Sequence, residues 1–258
     1  MKSFFALMQK EWTVYRVQIF VMFVLSLLLM FVVPYLIDKN MEMTIPPEQV
    51  VFSLMLLGLV LATMGVVMQL MMSLKADVRR KEMWLHSPQS IYQLVGAKML
   101  FNWCVSAVFT LTVLLIGLSL VSTYFGWSMA QVVVASIAMS VIVLGWQIFL
   151  LVFIQIFYSL YLQMQCYIGR FAIAVTVPLV ALMLFIMAKF EESALFQALF
   201  HHGYVSLEPL ERYLQPTDDS MFILIGSMYI VQELFYACLL VACFLVSAKW
   251  LEKVVSRS

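Results

Sequence analysis

A chain of 258 residues that is 64% hydrophobic and 11% charged, with a mean hydropathy of +1.01, lies outside the composition of soluble domains and reads as a polytopic membrane protein. Its net charge of +1 offers no argument for a nucleic-acid partner, and none is expected. Four cysteines (Cys104, Cys166, Cys238, Cys243), in or beside apolar runs and without ligand spacing, support neither a zinc site nor a disulfide framework and read as small apolar fillers.

Residues 1–16 are amphipathic at 100° per residue. Phe4, Phe5, Met8, Trp12 and Tyr15 share one face, with Lys2, Gln9, Lys10, Thr13 and Arg16 opposite. The pattern predicts a helix in the membrane interface, serving as a topogenic anchor or as a contact for a partner. A span needs about 20 apolar residues to cross about 30 Å of hydrocarbon. Six runs qualify: Val17–Ile37, Val50–Met72, Met99–Tyr124, Val132–Tyr158, Phe171–Ala188 and Met221–Ala248. The first lacks the small-x-small cleavage site of a signal peptide. No run alternates with the period of a barrel strand, so an all-α protein with six transmembrane helices is expected, forming one domain over residues 1–258.

The loops set the orientation. With both termini cytoplasmic, twelve of the fifteen basic residues lie inside, leaving only Lys39, Lys189 and Arg212 outside. Residues 38–49 form a short outer loop with Pro46-Pro47. In the second span Gly58 and Ala62 make a small-xxx-small pair suited to close helix approach. The very short loop after span three makes spans three and four antiparallel neighbours. Residues 159–170 read as a polar turn, and Pro178 is expected to kink or break span five. Residues 189–220 carry enough apolar content to form short helices dipping toward the membrane.

The densest positive charge lies at residues 75–98, KADVRRKEMWLHSPQSIYQLVGAK, between spans two and three. Arg79, Arg80, Lys81, Glu82, Trp84 and His86 combine charge with an aromatic ring. Ser87 before Pro88 is a helix-start signal, the hydroxyl capping and the proline occupying the first helical position. Topology accounts for the charges but not for Trp84 or the capped turn, so a docking segment is favoured over a plain solvated loop.

Glu233 is the one carboxylate inside a predicted span, twelve residues into the sixth, with Tyr229 and Tyr236 at helical spacing. A mid-membrane acid costs on the order of 2.5–3.5 kcal/mol, so these three residues are candidates for a translocation path, weighed against a neutral interhelical clamp. Gln69, Asn102, Gln147 and Gln155 read as interhelical glue, and the 20 methionines as core filler. His201-His202 with Glu208 matches no metal motif, Glu191-Glu192 no paired-glutamate protease, and no G-x-S-x-G occurs. No enzyme activity or metal is expected on this chain.

The run Arg80-Lys81-Glu82-x-Trp84-Leu85-x-Ser87-Pro88-x-Ser90, followed by Leu94-Val95-x-Ala97-Lys98, resembles the cytoplasmic segment of the ABC-2-type permeases. Gln9-Lys10-Glu11-Trp12 resembles the opening of the same family, and Met83 after Glu82 departs from the Gly-Thr that many members carry there. The resemblance implies a type V exporter-like fold, with Lys10, Glu11 and Trp12 on the interfacial helix and residues 79–92 as a coupling helix. It also implies two permease subunits, as a homo- or heterodimer in the plasma membrane, each served by a nucleotide-binding ATPase chain. The sequence holds no G-x-x-x-x-G-K-[ST], so ATP and Mg would belong to that separate chain. The alternatives are a non-transporting sensor or immunity protein of the same fold, and a proton-coupled carrier using Glu233.

Overall fold

The structure, a computed structural model, describes residues 2–40, 47–79, 90–215 and 226–257. These are almost wholly helical, in two compact units: Met1–Leu70 with Ala97–Ile148 and Leu210–Leu224, and Met71–Gly96 with Phe149–Pro209 and Ile225–Ser258. Five helical stretches are long and apolar enough to cross a membrane: Phe4–Leu36, Val50–Val78, Ile91–Ser122, Met129–Glu191 and Ile230–Val254. Their exposed side chains are themselves apolar, Phe20, Val108, Val141 and Leu182 among them. A surface of this kind suits lipid and not water. The chain is an all-α, multi-pass membrane protein in its architecture.

In the first unit, α1 (Lys2–Asn40) is one unbroken helix of 39 residues. The predicted interfacial segment is therefore no separate element but the first four turns of α1. No glycine or proline precedes Pro34 to interrupt it. Helix α2 (Pro47–Arg79) lies antiparallel to α1, with Met22 against Gly65. Helix α3 (Ile91–Phe125) runs parallel to α1, since Glu11 meets Lys98 and Phe23 meets Phe109, ring centroids 5.9 Å apart. Ser90 caps α3, its hydroxyl accepting from the Gln93 N–H at 3.4 Å. The cap predicted at Ser87-Pro88 lies outside the described residues.

A turn of three residues, Gly126 (φ 65°) to Ser128, reverses the chain into α4 (Met129–Ile168). Ser128 and Gln131 cap it reciprocally: the Ser128 N–H donates to Gln131 Oε1 at 2.8 Å, and the Gln131 N–H to Ser128 Oγ at 3.4 Å. Antiparallel packing of α3 and α4 follows as expected, with Ser106 and Gln147 bonded at about equal distances from the turn. At the same end of this unit, Trp127 Nε1 and Gln131 Nε2 donate to the carbonyls of Leu214 and Tyr213. Close helix approach occurs at Gly117, against Met55 and Met30, and not at Gly58, where an added Cβ would meet nothing within 4 Å.

In the second unit, α4 continues to Ile168, so the polar turn expected at residues 159–170 is mostly helix. The break comes at Gly169 (φ 63°), the start of a short 3-10 turn to Phe171. Helix α5 (Ala172–Glu191) then runs through Pro178 without breaking. Helix α6 (Ala194–Phe200) is capped by Ser193, whose Oγ accepts from the Phe196 N–H at 3.2 Å. Strand β1 (Tyr204–Ser206) and helix α7 (Glu208–Leu214, which passes into the first unit) follow. Strand β2 (Ser227–Tyr229) pairs antiparallel with β1 and leads into α8 (Ile230–Arg257). The last long helix thus starts nine residues later than the predicted span at Met221. Within the unit, Gln155 Nε2 donates to Ser247 Oγ at 2.7 Å and Gln163 Nε2 to the Trp250 carbonyl at 3.2 Å, tying α4 to α8.

Candidate functional site

Within the first unit a polar stripe runs along one face of α3. Lys98, Asn102, Ser106 and Thr110 recur every four residues and are 5%, 1%, 1% and 0% exposed. At its start, Lys98 Nζ donates to Glu11 Oε1 of α1 at 2.7 Å, and both side chains are more than nine-tenths buried. One turn on, Asn102 Nδ2 donates to the Lys98 carbonyl at 2.9 Å. A turn further, Ser106 Oγ donates to Gln147 Oε1 at 2.6 Å, and Gln147 Nε2 reaches Thr63 Oγ1 of α2 at 3.1 Å. The stripe therefore links α1, α2, α3 and α4, with the charges at one end and neutral amides and hydroxyls beyond.

Parts of this stripe lack partners. Asn102 Oδ1, Thr110 Oγ1 and Gln69 Nε2 are buried without a hydrogen bond among the described residues. Gln69 and Ser106 line a cavity of about 40 Å³, a space that fits one water between polar groups. Removing two charges from water costs several kcal/mol per ion, which only close geometry and hydrogen bonding repay. An ion pair so placed is poor glue by that measure; it ties the third turn of α1 to the third turn of α3.

The residues singled out from the sequence fall into three groups. Arg80, Lys81, Glu82, Trp84, His86, Ser87 and Pro88 lie outside the described residues. Arg79 closes α2, its side chain likewise outside them. Lys10, Glu11 and Trp12 point three ways, as successive residues of a helix must: Lys10 outward, Glu11 into the ion pair, and Trp12 into an apolar groove beside α3.

Glu233 lies three residues after the start of α8, not twelve residues into a span. It is exposed in the first turn of α8, where an acid is favoured by the helix dipole. Tyr229 lies in β2 and not on the helix, stacked on His201 with ring centroids 4.5 Å apart. The Tyr236 hydroxyl accepts from Gln232 Nε2 at 3.5 Å and lies by Glu191. Around it Phe190, Phe196, Phe200 and Phe235 form an aromatic cluster that seats α6 on α8. Three of the four cysteines are exposed on helix surfaces, so they are not packed fillers. Among the described residues no three His, Cys, Asp or Glu side chains could hold a metal ion.

Gln147 and Gln155 are the interhelical glue expected of them. From the sequence, Lys98 is only the residue that closes the basic segment; the four-residue recurrence from Lys98 to Thr110 is the signal that marks it. No protein-family model, no curated protein and no solved structure matches the chain.

Proposed function

We propose that the chain is the membrane-spanning permease subunit of an ATP-driven ABC-type transporter, an exporter, paired with a second permease subunit and coupled to separate nucleotide-binding ATPase chains. The observation that carries this reading is the buried Glu11–Lys98 pair. It joins the two short motifs on which the resemblance rests, Gln9-Lys10-Glu11-Trp12 and the Leu94-Val95-x-Ala97-Lys98 run that follows the coupling segment. A chain docked on residues 79–92 pulls or releases the start of α3, and the ion pair carries that displacement to α1. Register between the two helices is then a mechanical requirement, which explains charges that stability alone does not.

Two features support the six-span layout. The Met129–Glu191 stretch holds 63 residues, about 95 Å of helix, three times the hydrocarbon thickness. Its break at Gly169–Phe171 divides it into α4 and α5, each long enough to cross. Counting them separately gives six crossings, an even number that agrees with both termini cytoplasmic and twelve of the fifteen basic residues on the inner face of the plasma membrane. A proton-coupled carrier relaying through Glu233 has little support, because that side chain is exposed at a helix start.

Replacing Arg80, Glu82 and Trp84 together by alanine tests the reading. Association with a co-purifying ATPase is expected to weaken at least about tenfold, with stimulated ATP hydrolysis falling alongside. Unchanged association and unchanged stimulated hydrolysis contradict the coupling role and favour a sensor that needs no ATPase.

A further inference from the structure

The groove between α1 and α3 has chemistry that neither the ion pair nor the coupling segment uses. It encloses about 1010 Å³ in the first unit, and of the residues that line it Arg16 alone carries a charge. Phe20, Phe23, Val105 and Val108 form its apolar walls. Among the described residues the Arg16 guanidinium makes no hydrogen bond or ion pair, although it lies on the same helix face as Trp12 and Phe23. A guanidinium is a planar fork of donors matched to phosphate, and Arg16 is exposed beside these apolar walls.

We propose that this groove is a binding site for one anionic phospholipid, the phosphate on Arg16 and an acyl chain along Phe20, Phe23 and Val108. Charge complementarity and depth argue for this occupant. Arg16 immediately precedes the apolar run beginning at Val17, which puts it at headgroup level. The groove is lined along α1 from Phe5 to Phe23, and its part from Arg16 to Phe23 runs about 10 Å, within the roughly 15 Å depth of one leaflet. The cytoplasmic leaflet is the anionic one, so the site rests on the orientation proposed above. Trp12, one turn from Arg16, stands where a headgroup and a ring meet at the interface. The lipid would brace α1 against α3 on the side away from Gln147, and thereby act on the same pair of helices that the ion pair ties.

Trp12 makes the site measurable, because bromine placed at the carbonyl end of an acyl chain, next to a phosphate on Arg16, lies close enough to quench its indole. The wild-type protein and Trp12→Phe are placed in lipid nanodiscs containing a low fraction of brominated phosphatidylglycerol or brominated phosphatidylcholine, and the difference between them isolates Trp12. The brominated anionic lipid is expected to quench Trp12 with a roughly fivefold preference over the zwitterionic one, as one basic residue near the surface provides. Arg16→Gln should abolish the preference and Arg16→Lys retain part of it. Equal quenching by the two lipids overturns the proposal and leaves only non-selective annular lipid. Trp12 shielded from both, in a protein that runs as a dimer, overturns it in favour of a second copy of the chain. Neither readout involves ATP, so failure here is separate from failure of the transporter reading.

Discussion

Lys98→Met is expected to lower the stability of the protein by about 3–5 kcal/mol, the cost of leaving the Glu11 carboxylate buried without its cation. Both side chains are more than nine-tenths buried and their charged atoms are 2.7 Å apart. Glu11→Leu should cost a similar amount, since it removes the carboxylate that the buried ammonium meets at 2.7 Å. The double variant Glu11→Leu/Lys98→Met should recover most of the loss, because an apolar pair avoids the desolvation of two ions. The check is a double-mutant cycle on unfolding in one detergent. A large favourable coupling is predicted, and two small, additive effects would remove the ion pair from the account. If register is the pair's role, the rescued double variant should still bind its ATPase while coupling hydrolysis to transport poorly.

Gly117→Ala is the second large effect and has a built-in control. A Cβ at Gly117 would lie 2.8 Å from Met55 Cγ and 2.9 Å from Met30 Cε, with Met55 Sδ nearer still. Methionine usually yields to such an intrusion, but Met55 and Met30 are 0% and 2% exposed and have nowhere to move. Overpacking of this kind costs about 1–3 kcal/mol, and Gly117→Leu should cost more. At Gly58 a Cβ meets nothing within 4 Å, so Gly58→Ala should instead stabilise the helix by about 0.5–1 kcal/mol. Opposite signs at two glycines of apolar helices follow from packing alone. Equal stabilisation at both would show that α1, α2 and α3 do not meet at Gly117.

The helices were legible because hydropathy and length are strong signals, and their ends were less so because those depend on backbone breakers and on pairing. Helix α1 passes through residue 16 because nothing there stops it; the change from amphipathic to apolar composition alters its surroundings and not its backbone. Helix α4 outlasts the apolar run at Tyr158 for the same reason, ending only at Gly169. Composition alone places the start of α8 too early. Residues 221–225 are apolar enough to begin a span, but Gly226 has φ 81° and residues 227–229 pair with 204–206 instead. That pairing joins segments far apart in sequence, and three-residue strands leave no periodic trace.

The candidate site divides along the same line. The stripe Lys98, Asn102, Ser106, Thr110 can be read from the sequence as a four-residue polar recurrence on an apolar helix. That Glu11 answers Lys98 cannot, since 87 residues separate them and only the parallel packing of α1 and α3 brings them together. In the sequence Glu233 is an acid inside an apolar run, where burial would be costly. Once the helix start moves to Ile230, the same residue becomes an ordinary first-turn acid.

Purifying the protein in mild detergent and identifying by mass spectrometry the chains that come with it tests the central claim most directly. The account predicts a stoichiometric partner that contains a phosphate-binding loop, hydrolyses ATP and is lost when Arg80, Glu82 and Trp84 are replaced. A protein that purifies without any nucleotide-binding chain, yet still performs its membrane function in vesicles lacking ATP, would contradict it.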